Sequence, residues 1–594
     1  MQFTCHIDGS HIICDLTTNY DISKPVLAFA AMAPIKAIEG GLTIQSIGSY
    51  CEIALPDLTA GRAHRIVLEY DGGHKPANRA WLPMGPHLMV GDRRIDLPVG
   101  PLGCHPQPFP TQTTDGALPV IPQPQHWVPT ADTILTNGFA ATDPALRAVG
   151  SLADRRGLRF VGDLPVTVET ADLPTDAYEI DIQPTAVTIR ASGYGGSFYA
   201  GITLLHLAQG GTLPCGTIKD APRFDWRGQH LDTARHYYAP ETLTRLLDLM
   251  ALYKLNRFHW HFADDEAFRL EVECFPELWQ QTAHRGQGHL LPALFSDSAS
   301  AGGTYSKATA KQIIAHAAEL NIEVLPEIEV PAHALALIRV FPDLKDPSDN
   351  GAETSVQGYR DNVINPAMAR TWDVTEALAK EVGALFPFGH LHLGCDELPP
   401  DTWMGSPKAR ALMAEHDLDT TDDLQGWMME RLAKTILSNG QRPCAWEEAA
   451  KGKNGGIGNG TILFSWTGQG PGVDAARAGY DVVMSPAQHI YLDMAHTGDP
   501  DDWGASWAAF VNLSDTVNWD PIPDPDIADR ILGVEGTFWS EFTTQDDQIW
   551  PMLLPRISGV AVQAWHQTRP ETDAFLGWVA TQSWVLDAYG VARA

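Results

Sequence analysis

The chain has 594 residues, of which 44% are hydrophobic and 19% are charged, as in an ordinary globular protein with a large core. Asp and Glu number 73 against 41 Lys and Arg, a formal charge of −32, which argues against nucleic acids and anionic membranes as partners. The eight cysteines are scattered without a Cys-x-x-Cys motif, so we expect no zinc site. No basic residue precedes Lys24, so no signal peptide is recognisable and we expect a cytoplasmic protein.

Two smaller domains are predicted before the main one. Residues 1–105 contain alternating or apolar runs separated by Gly, Pro and Asp turns, which predicts a small β-sandwich. The proline-rich stretch 106–124 is typical of a linker. Residues 126–222 indicate an α+β domain. Its predicted elements are a helix at 143–155, a hairpin at 178–190 and a helix at 195–207.

From residue 223 onward, short apolar strands alternate with helical segments, a pattern typical of a parallel sheet built from βα units. The predicted strands are 228–236, 257–262, 321–330, 391–394, 443–447, 461–466, 481–485 and 531–539. Eight strands of this kind predict a (β/α)₈ barrel over 223–594 with insertions in its loops. Its first helix, 241–255, should begin near Pro240 and end at Asn256.

Two adjacent carboxylates, Asp396 and Glu397, follow the fourth predicted strand and precede two prolines. In a (β/α)₈ barrel, catalytic side chains lie where the strands end. Because the two charges repel, the pKa of one carboxyl should rise, which keeps a proton available for general-acid catalysis. An Asp-Glu pair by itself is more often part of a solvated turn. The residues at the other strand ends therefore decide whether this pair is catalytic or only a turn.

The other predicted strand ends carry acids, aromatic residues, one Arg and one His. These residues are Arg235, Asp264, Asp265, His333, Trp446, Trp466, Tyr491, Asp493, Trp539 and Glu541. The sequence contains no phosphate-binding glycine loop and no Gly-x-Ser-x-Gly elbow. Carboxylates and indoles together indicate a carbohydrate substrate and acid/base chemistry. His259 and His261 alternate with apolar residues, so we interpret them as packed barrel histidines rather than ligands.

Five motifs in this region resemble the family 20 glycoside hydrolases, the β-N-acetylhexosaminidases. They are LDTARH at 231–236, HWHFADD at 259–265, PEIEVPAH at 326–333, HLGCDE at 392–397 and GTFWSE at 536–541. Residues 178–207 also resemble the end of the α+β domain that precedes the barrel in this family. One departure is Cys395, which stands where the family commonly has glycine.

The resemblance implies roles for the strand-end residues. Glu397 would be the general acid/base, Asp396 would orient the acetamido N–H of the substrate, and Tyr491 would bind the acetamido oxygen. That acetamido group would be the nucleophile, so the reaction would proceed through an oxazoline with retention of configuration. Arg235 and Glu541 would hold the ring hydroxyls of the sugar, with Asp493 near them as a further substrate-binding residue. Trp446, Trp466 and Trp539 would form the pocket walls. His333, with Asp264 or Asp265, would support Glu397.

The expected partner is therefore an oligosaccharide or glycoconjugate that ends in GlcNAc or GalNAc, and neither a metal nor an organic cofactor is implied. Two alternatives remain open. A lacto-N-biosidase-like or transglycosylating relative would need a wider site, which the insert at 274–306 could shape. A catalytically inactive sugar-binding protein is disfavoured because every chemical role is filled.

Overall fold

The computed structural model describes residues 1–100, 102–351 and 353–594, and its first domain is a β-sandwich. One antiparallel sheet has the strand order Gln2–Asp8, His11–Thr17, Ala63–Tyr70, Ile35–Glu39. The other has the order Leu42–Ile47, Tyr50–Ala54, Val26–Ala30, Met84–Val90, Arg93–Asp96. Buried side chains of both sheets, among them Leu16, Phe29, Ile53 and Leu68, form one core. The predicted sandwich is confirmed.

The proline-rich stretch, predicted as a linker, packs against the barrel domain. Val120 and Ile121 are fully buried. The Thr114 hydroxyl donates a hydrogen bond to the Ala574 carbonyl, 3.2 Å away, near the end of the chain. The composition indicated irregular structure correctly, but it carried no information about these distant contacts.

The second domain has one six-stranded sheet and two helices. The strand order is His126–Leu135, Thr212–Asp220, Tyr178–Gln183, Ala186–Ala191, Leu164–Thr170, Phe139–Ala140. The helices are Pro144–Arg156 and Tyr194–Ala208. The Asp143 side chain caps the first helix by accepting the backbone N–H of Ala145, and Gly157 ends it in the left-handed conformation. The two predicted helices and the hairpin are confirmed.

The third domain is a closed barrel of eight parallel strands, as predicted. Barrel strands 1 to 8 are Trp226–Asp232, Arg257–His261, Glu323–Glu327, His390–His392, Arg442–Trp446, Ile462–Ser465, Asp481–Met484 and Ile531–Gly536. Short strand pairs in the loops are Ala263–Asp264 with Ala267–Phe268, and His284–Gly286 with Ser300–Gly302.

Helices surround the barrel strands and end the chain. They are Pro240–Leu252, Pro276–Thr282, Lys307–Glu319, Leu335–Val340, Ala369–Leu385, Pro407–Glu415, Thr421–Ser438, Gln469–Arg477, Ala487–Ile490, Ile549–Leu553, Ile557–Trp565, Thr572–Val579 and Ser583–Tyr589. Within the described residues, none of the helices has the length and hydropathy that a bilayer crossing requires.

Barrel strand 1 ends four residues before the predicted boundary, because Asp232 turns the chain. Its carboxylate accepts the backbone N–H groups of Ala234 and Arg235, at 2.9 and 3.0 Å. The helix that follows ends at Leu252 and not at Asn256. The Asn256 side chain instead accepts the backbone N–H of Arg227 at 3.0 Å and so anchors barrel strand 1.

The barrel interior beneath the strand ends is polar. Glu327 lies 2.5 Å from His261 Nδ1, 2.7 Å from His392 Nδ1 and 3.2 Å from His259 Nε2. Burial opposes ionisation of Glu327, but the surrounding histidines hold its pKa well below the usual range. His259 and His261 are thus paired side chains of the barrel core, in agreement with their interpretation from the sequence. Their rings pack against Trp446 and Trp539, which line the pocket described next.

Candidate active site

A cavity of about 310 Å³ opens where the barrel strands end. It brings together most of the predicted site residues, namely Arg235, His333, Asp396, Glu397, Trp446, Trp466, Tyr491, Trp539 and Glu541. Three predicted residues, Asp264, Asp265 and Asp493, are buried behind this lining. The lining also contains residues that the sequence did not single out, namely Met32, Ala33, His74, Trp81, Val356, Gln357, Ala505 and Trp507.

A chain of polar contacts runs from Asp264 through His333 to Glu397. His333 Nδ1 is 3.0 Å from Asp264 Oδ1, and its Nε2 is 3.4 Å from Glu397 Oε2. Burial favours the neutral imidazole, but the carboxylates of Asp264 and Asp396 raise the pKa of His333 well above its ordinary value. The two carboxylates therefore favour the protonated form of His333, which is positioned to hold and orient Glu397.

Asp264, rather than Asp265, is the carboxylate that binds His333 most closely. Asp265 Oδ2 is 3.6 Å from His333 Nδ1, and its oxygens accept hydrogen bonds from Leu335 N and Asn362 Nδ2 at 2.8 and 3.0 Å. Burial raises the pKa of Asp265 to about 8. Asp265 thus holds the loop that carries His333, and Asp264 completes the chain to Glu397.

Asp396 lies deeper in the cavity than Glu397. Its side chain is 11% exposed, against 26% for Glu397, and its Oδ1 atom has no hydrogen-bond partner in the described part of the chain. Burial raises the pKa of Asp396 to about 6, with a smaller contribution from Glu397. The predicted upward shift is therefore found on Asp396.

We expect the pKa of Asp396 to set the acidic limb of the pH profile. If the ionised carboxylate accepts the substrate N–H, kcat/KM should fall about tenfold per pH unit as the pH drops below about 6, because protonation removes this acceptor. The measurement is kcat/KM between pH 4 and 8. The Asp396→Asn variant should have a lower kcat/KM and should lack this acidic limb. An acidic limb with the same midpoint and slope in the variant would show that Asp396 does not cause it.

Cys395 adopts a left-handed backbone conformation, with φ of 81°, next to the acid pair. This region costs a non-glycine residue about 1–2 kcal/mol. The thiol lies 2.8 Å from Gln425 Nε2 and is fully buried, so its packing offsets part of that strain. Cys395 therefore has the backbone conformation that glycine adopts without strain. This backbone conformation sets the direction of the neighbouring Asp396.

We therefore expect Cys395→Gly to be nearly neutral. Relief of backbone strain and loss of a small buried side chain are of similar size, so the free energy of unfolding should change by less than about 1 kcal/mol. The kcat/KM value should stay within about threefold. Cys444→Gly, at an equally buried position of a barrel strand, is the control and should be clearly destabilising in urea unfolding. A large rate loss for Cys395→Gly would mean that the thiol itself supports the site.

Arg235 is held by several carboxylates and faces the cavity. Its Nη1 is 2.7 Å from Asp264 Oδ2, and its Nε is 2.9 Å from Glu266 Oε2. Gln357 accepts a hydrogen bond from Arg235 Nη2 at 3.2 Å and donates one to Glu541 Oε1 at 3.4 Å. Gln357 thus joins the two residues predicted to bind the ring hydroxyls. No motif surrounds it in the sequence, so only the fold could reveal it.

Indole rings surround the two acids. Trp446 and Trp539 have ring centroids 6.0 Å apart, and Trp466 stacks with Tyr491 at 6.5 Å and an interplanar angle of 18°. Trp446 is fully buried, and its Nε1 donates to no atom of the described residues. Such walls favour a ligand with flat apolar faces and a few polar atoms.

Asp493 does not line the cavity, although it was predicted to bind substrate. It is 1% exposed, and neither carboxylate oxygen has a hydrogen-bond partner in the described ranges. Burial, with a smaller contribution from the charge of Glu541, raises the pKa of Asp493 well above its ordinary value.

The fold also gathers three distant side chains that could coordinate a metal, Cys104, His496 and Asp502, which the scattered cysteines did not predict. The local electrostatics disfavour a cation there. Burial and the Arg556 guanidinium hold the pKa of His496 well below its ordinary value. Asp502 Oδ1 and Oδ2 already accept the backbone N–H groups of Trp503 and Thr497 at 2.8 and 2.7 Å.

Comparison with known proteins identifies the family. Residues 224–568 match the model of the glycosyl hydrolase family 20 catalytic domain, and residues 117–221 match domain 2 of that family. The chain belongs to family 20 of the glycoside hydrolases. The resemblance recognised from the motifs is thereby confirmed.

Curated relatives and solved structures agree with this assignment. A β-hexosaminidase of Vibrio furnissii is 36% identical over 412 residues, 68% of this chain and 67% of that protein. One of Vibrio vulnificus is 31% identical over 67% of this chain, and the match spans only 54% of that protein. The crystal structure of a GH20 exo-β-N-acetylglucosaminidase from Vibrio harveyi with N-acetylglucosamine superposes with a TM-score of 0.88 at 28% identity, covering 100% of this chain and 99% of that one.

Proposed function

We propose that this protein is a retaining, exo-acting β-N-acetylhexosaminidase that releases terminal GlcNAc or GalNAc from oligosaccharides or glycoconjugates. The observation that carries the proposal is the unpartnered Asp396 Oδ1 in a cavity walled by Trp446, Trp466 and Trp539. A buried acceptor among indoles suits an acetamido group, which has one N–H donor and an apolar methyl. A plain hydroxyl would leave the apolar walls without a partner.

The proposed reaction needs no nucleophile from the protein. Glu397 protonates the glycosidic oxygen while the acetamido oxygen of the substrate attacks C1, so the C1–O bond to the leaving group breaks as an oxazoline ring forms. Asp396 binds the acetamido N–H and Tyr491 its oxygen. Water then attacks C1, with Glu397 as general base, and opens the ring. Two inversions at C1 give retention.

The alternative that the sequence left open, a lacto-N-biosidase-like site, depended on the insert at 274–306. None of the described residues of this insert lines the cavity. Its residues Leu291, Ala293 and Leu294 pack in a small apolar cluster with Tyr50 of the sandwich, and the Phe295 N–H donates to the Ser49 hydroxyl at 3.0 Å. This packing favours a pocket for one terminal sugar.

The test is a panel of the 4-nitrophenyl β-glycosides of GlcNAc, GalNAc and lacto-N-biose. We expect release of nitrophenol from the first two and none from the third. Release from lacto-N-biose alone would replace the proposal by the biosidase alternative. Activity on none of the three, with the protein folded, would favour a sugar-binding protein.

A further inference from the structure

We propose that the N-terminal sandwich forms part of the subsite for the leaving-group sugar, and that this subsite takes an uncharged pyranose. The inference rests on the proposed function. Its starting observation is that Met32, Ala33, His74 and Trp81 line the same cavity as the catalytic acids. All four belong to the sandwich, which neither family match covers.

The exposure of the lining residues indicates which end of the cavity the leaving group occupies. Arg235, Trp446 and Tyr491 are at most 2% exposed, whereas Val356 is 60% and Trp507 is 52% exposed. The terminal sugar therefore enters the closed end, and the rest of the substrate extends toward the open one. His74 is exposed and Met32 is half-buried, so both have the accessibility of the open end.

The Trp81 side chain is fixed within the sandwich, and a neighbouring hydrogen bond joins the sandwich to the barrel. The Trp81 ring meets Tyr70 edge to face at 5.3 Å, and the Tyr70 hydroxyl donates to the Trp81 carbonyl at 2.5 Å. Asn78 Nδ2 donates to the Gly504 carbonyl at 3.0 Å, in the barrel loop that also carries Trp507. A preorganised wall of this kind can contribute binding energy without an ordering cost.

The sandwich also contacts the loop that carries Gln357. A Cβ atom on Gly358 would lie 2.0 Å from Pro34 Cγ, and one on Gly48 would lie 2.0 Å from the ring of Tyr359. The Tyr359 hydroxyl donates to Glu266 at 2.6 Å, and Glu266 holds Arg235. The same domain that lines the open end thus fixes the geometry of the loop between the two ends.

The chemistry of the wall indicates the ligand. Trp81, His74 and Met32 offer ring faces and a flexible apolar chain, which suit the apolar face of a pyranose. The imidazole of His74 adds one polar contact for a hydroxyl or acetamido group. Acidic groups dominate the cavity, with Asp396, Glu397 and Glu541 opposed by Arg235 and His333, and the whole chain carries −32. Anionic sugars are therefore disfavoured.

The test compares a substrate that fills this subsite with one that does not. The variants are His74→Ala and Met32→Ala, both on accessible side chains. The matched control is His11→Ala, on the sandwich strand His11–Thr17 and outside the cavity lining. The substrates are N,N′-diacetylchitobiose and 1-azido-β-GlcNAc, whose leaving group is only azide. We expect kcat/KM for the disaccharide to fall about tenfold in each variant and that for the azide by less than about twofold.

Affinity for GlcNAc-thiazoline, which fills only the closed end, should be unchanged in all variants. Equal losses on both substrates, or no loss on either, would overturn the role of the sandwich. Absence of hydrolysis of both substrates by the unaltered protein would instead refute the proposed function, so the two failures are distinguishable. The His11→Ala control should match the unaltered protein on every substrate.

Discussion

Glu397→Gln is expected to lower kcat on N,N′-diacetylchitobiose by about 10²–10⁴-fold, because the amide cannot protonate a poor leaving group. With the 2,4-dinitrophenyl glycoside, the dinitrophenolate leaves without being protonated. The rate of the first step should therefore fall much less for this substrate. The substitution keeps the shape of the side chain, whose carboxylate lies 3.4 Å from His333 Nε2. Rates on both substrates, measured in parallel, give the result.

The control for this variant is Glu415→Gln, on an exposed helix end outside the cavity, which should leave both rates unchanged. Glu397 would lose its assigned role if the variant slowed both substrates equally and mildly. Thermal unfolding shows whether the variant is still folded. Its unfolding temperature should be nearly unaltered because Glu397 is partly exposed.

Tyr491→Phe is expected to lower kcat by about 10²-fold, because its hydroxyl would fix the acetamido oxygen in line with C1 and small misplacements of a nucleophile are costly. The phenyl ring should keep the stacking with Trp466, at 6.5 Å, so the cavity wall remains. KM should change less than kcat. The measurement is a Michaelis–Menten series on 4-nitrophenyl GlcNAc for both proteins.

A rise in KM with unchanged kcat would contradict this role, since it would mean that Tyr491 binds substrate and transition state equally. The matched control is Tyr194→Phe, on an exposed tyrosine of the second domain whose hydroxyl bonds only the Glu319 carbonyl among the described residues. Its kinetics should equal those of the unaltered protein.

The order of the barrel strands was predictable because each is a short apolar run between helical patterns. Their ends were less so. Strand 1 was extended to 236, since the sequence does not say that the Asp232 carboxylate will bind the backbone of Ala234 and end the strand. Strand 3 was predicted at 321–330 but spans only Glu323–Glu327. It stops where its pairing with the neighbouring strand stops, and an apolar sequence does not show where that is.

The positions of Asp396, Glu397, Arg235 and the tryptophans in the cavity were predictable because these residues follow strands that converge at one edge of the barrel. Asp493 follows a strand too, but it is buried outside the cavity lining, and its burial depends on packing that the sequence does not reveal. That His74 and Trp81 line the cavity could not be predicted, since it depends on how a separate domain packs against the barrel. Gln357 was missed because it lies in a long loop without a motif.

The most direct test of the account compares 4-nitrophenyl β-glycosides that differ only at C2: acetamido, mono-, di- and trifluoroacetamido, and hydroxyl. If the substrate supplies the nucleophile, kcat should fall steadily with each fluorine, because fluorine withdraws electrons from the attacking oxygen, and the 2-hydroxy glucoside should be nearly inert. Equal rates across the series, or a sugar trapped covalently on a side chain by a 2-fluoro glycoside, would contradict the account and require a protein nucleophile.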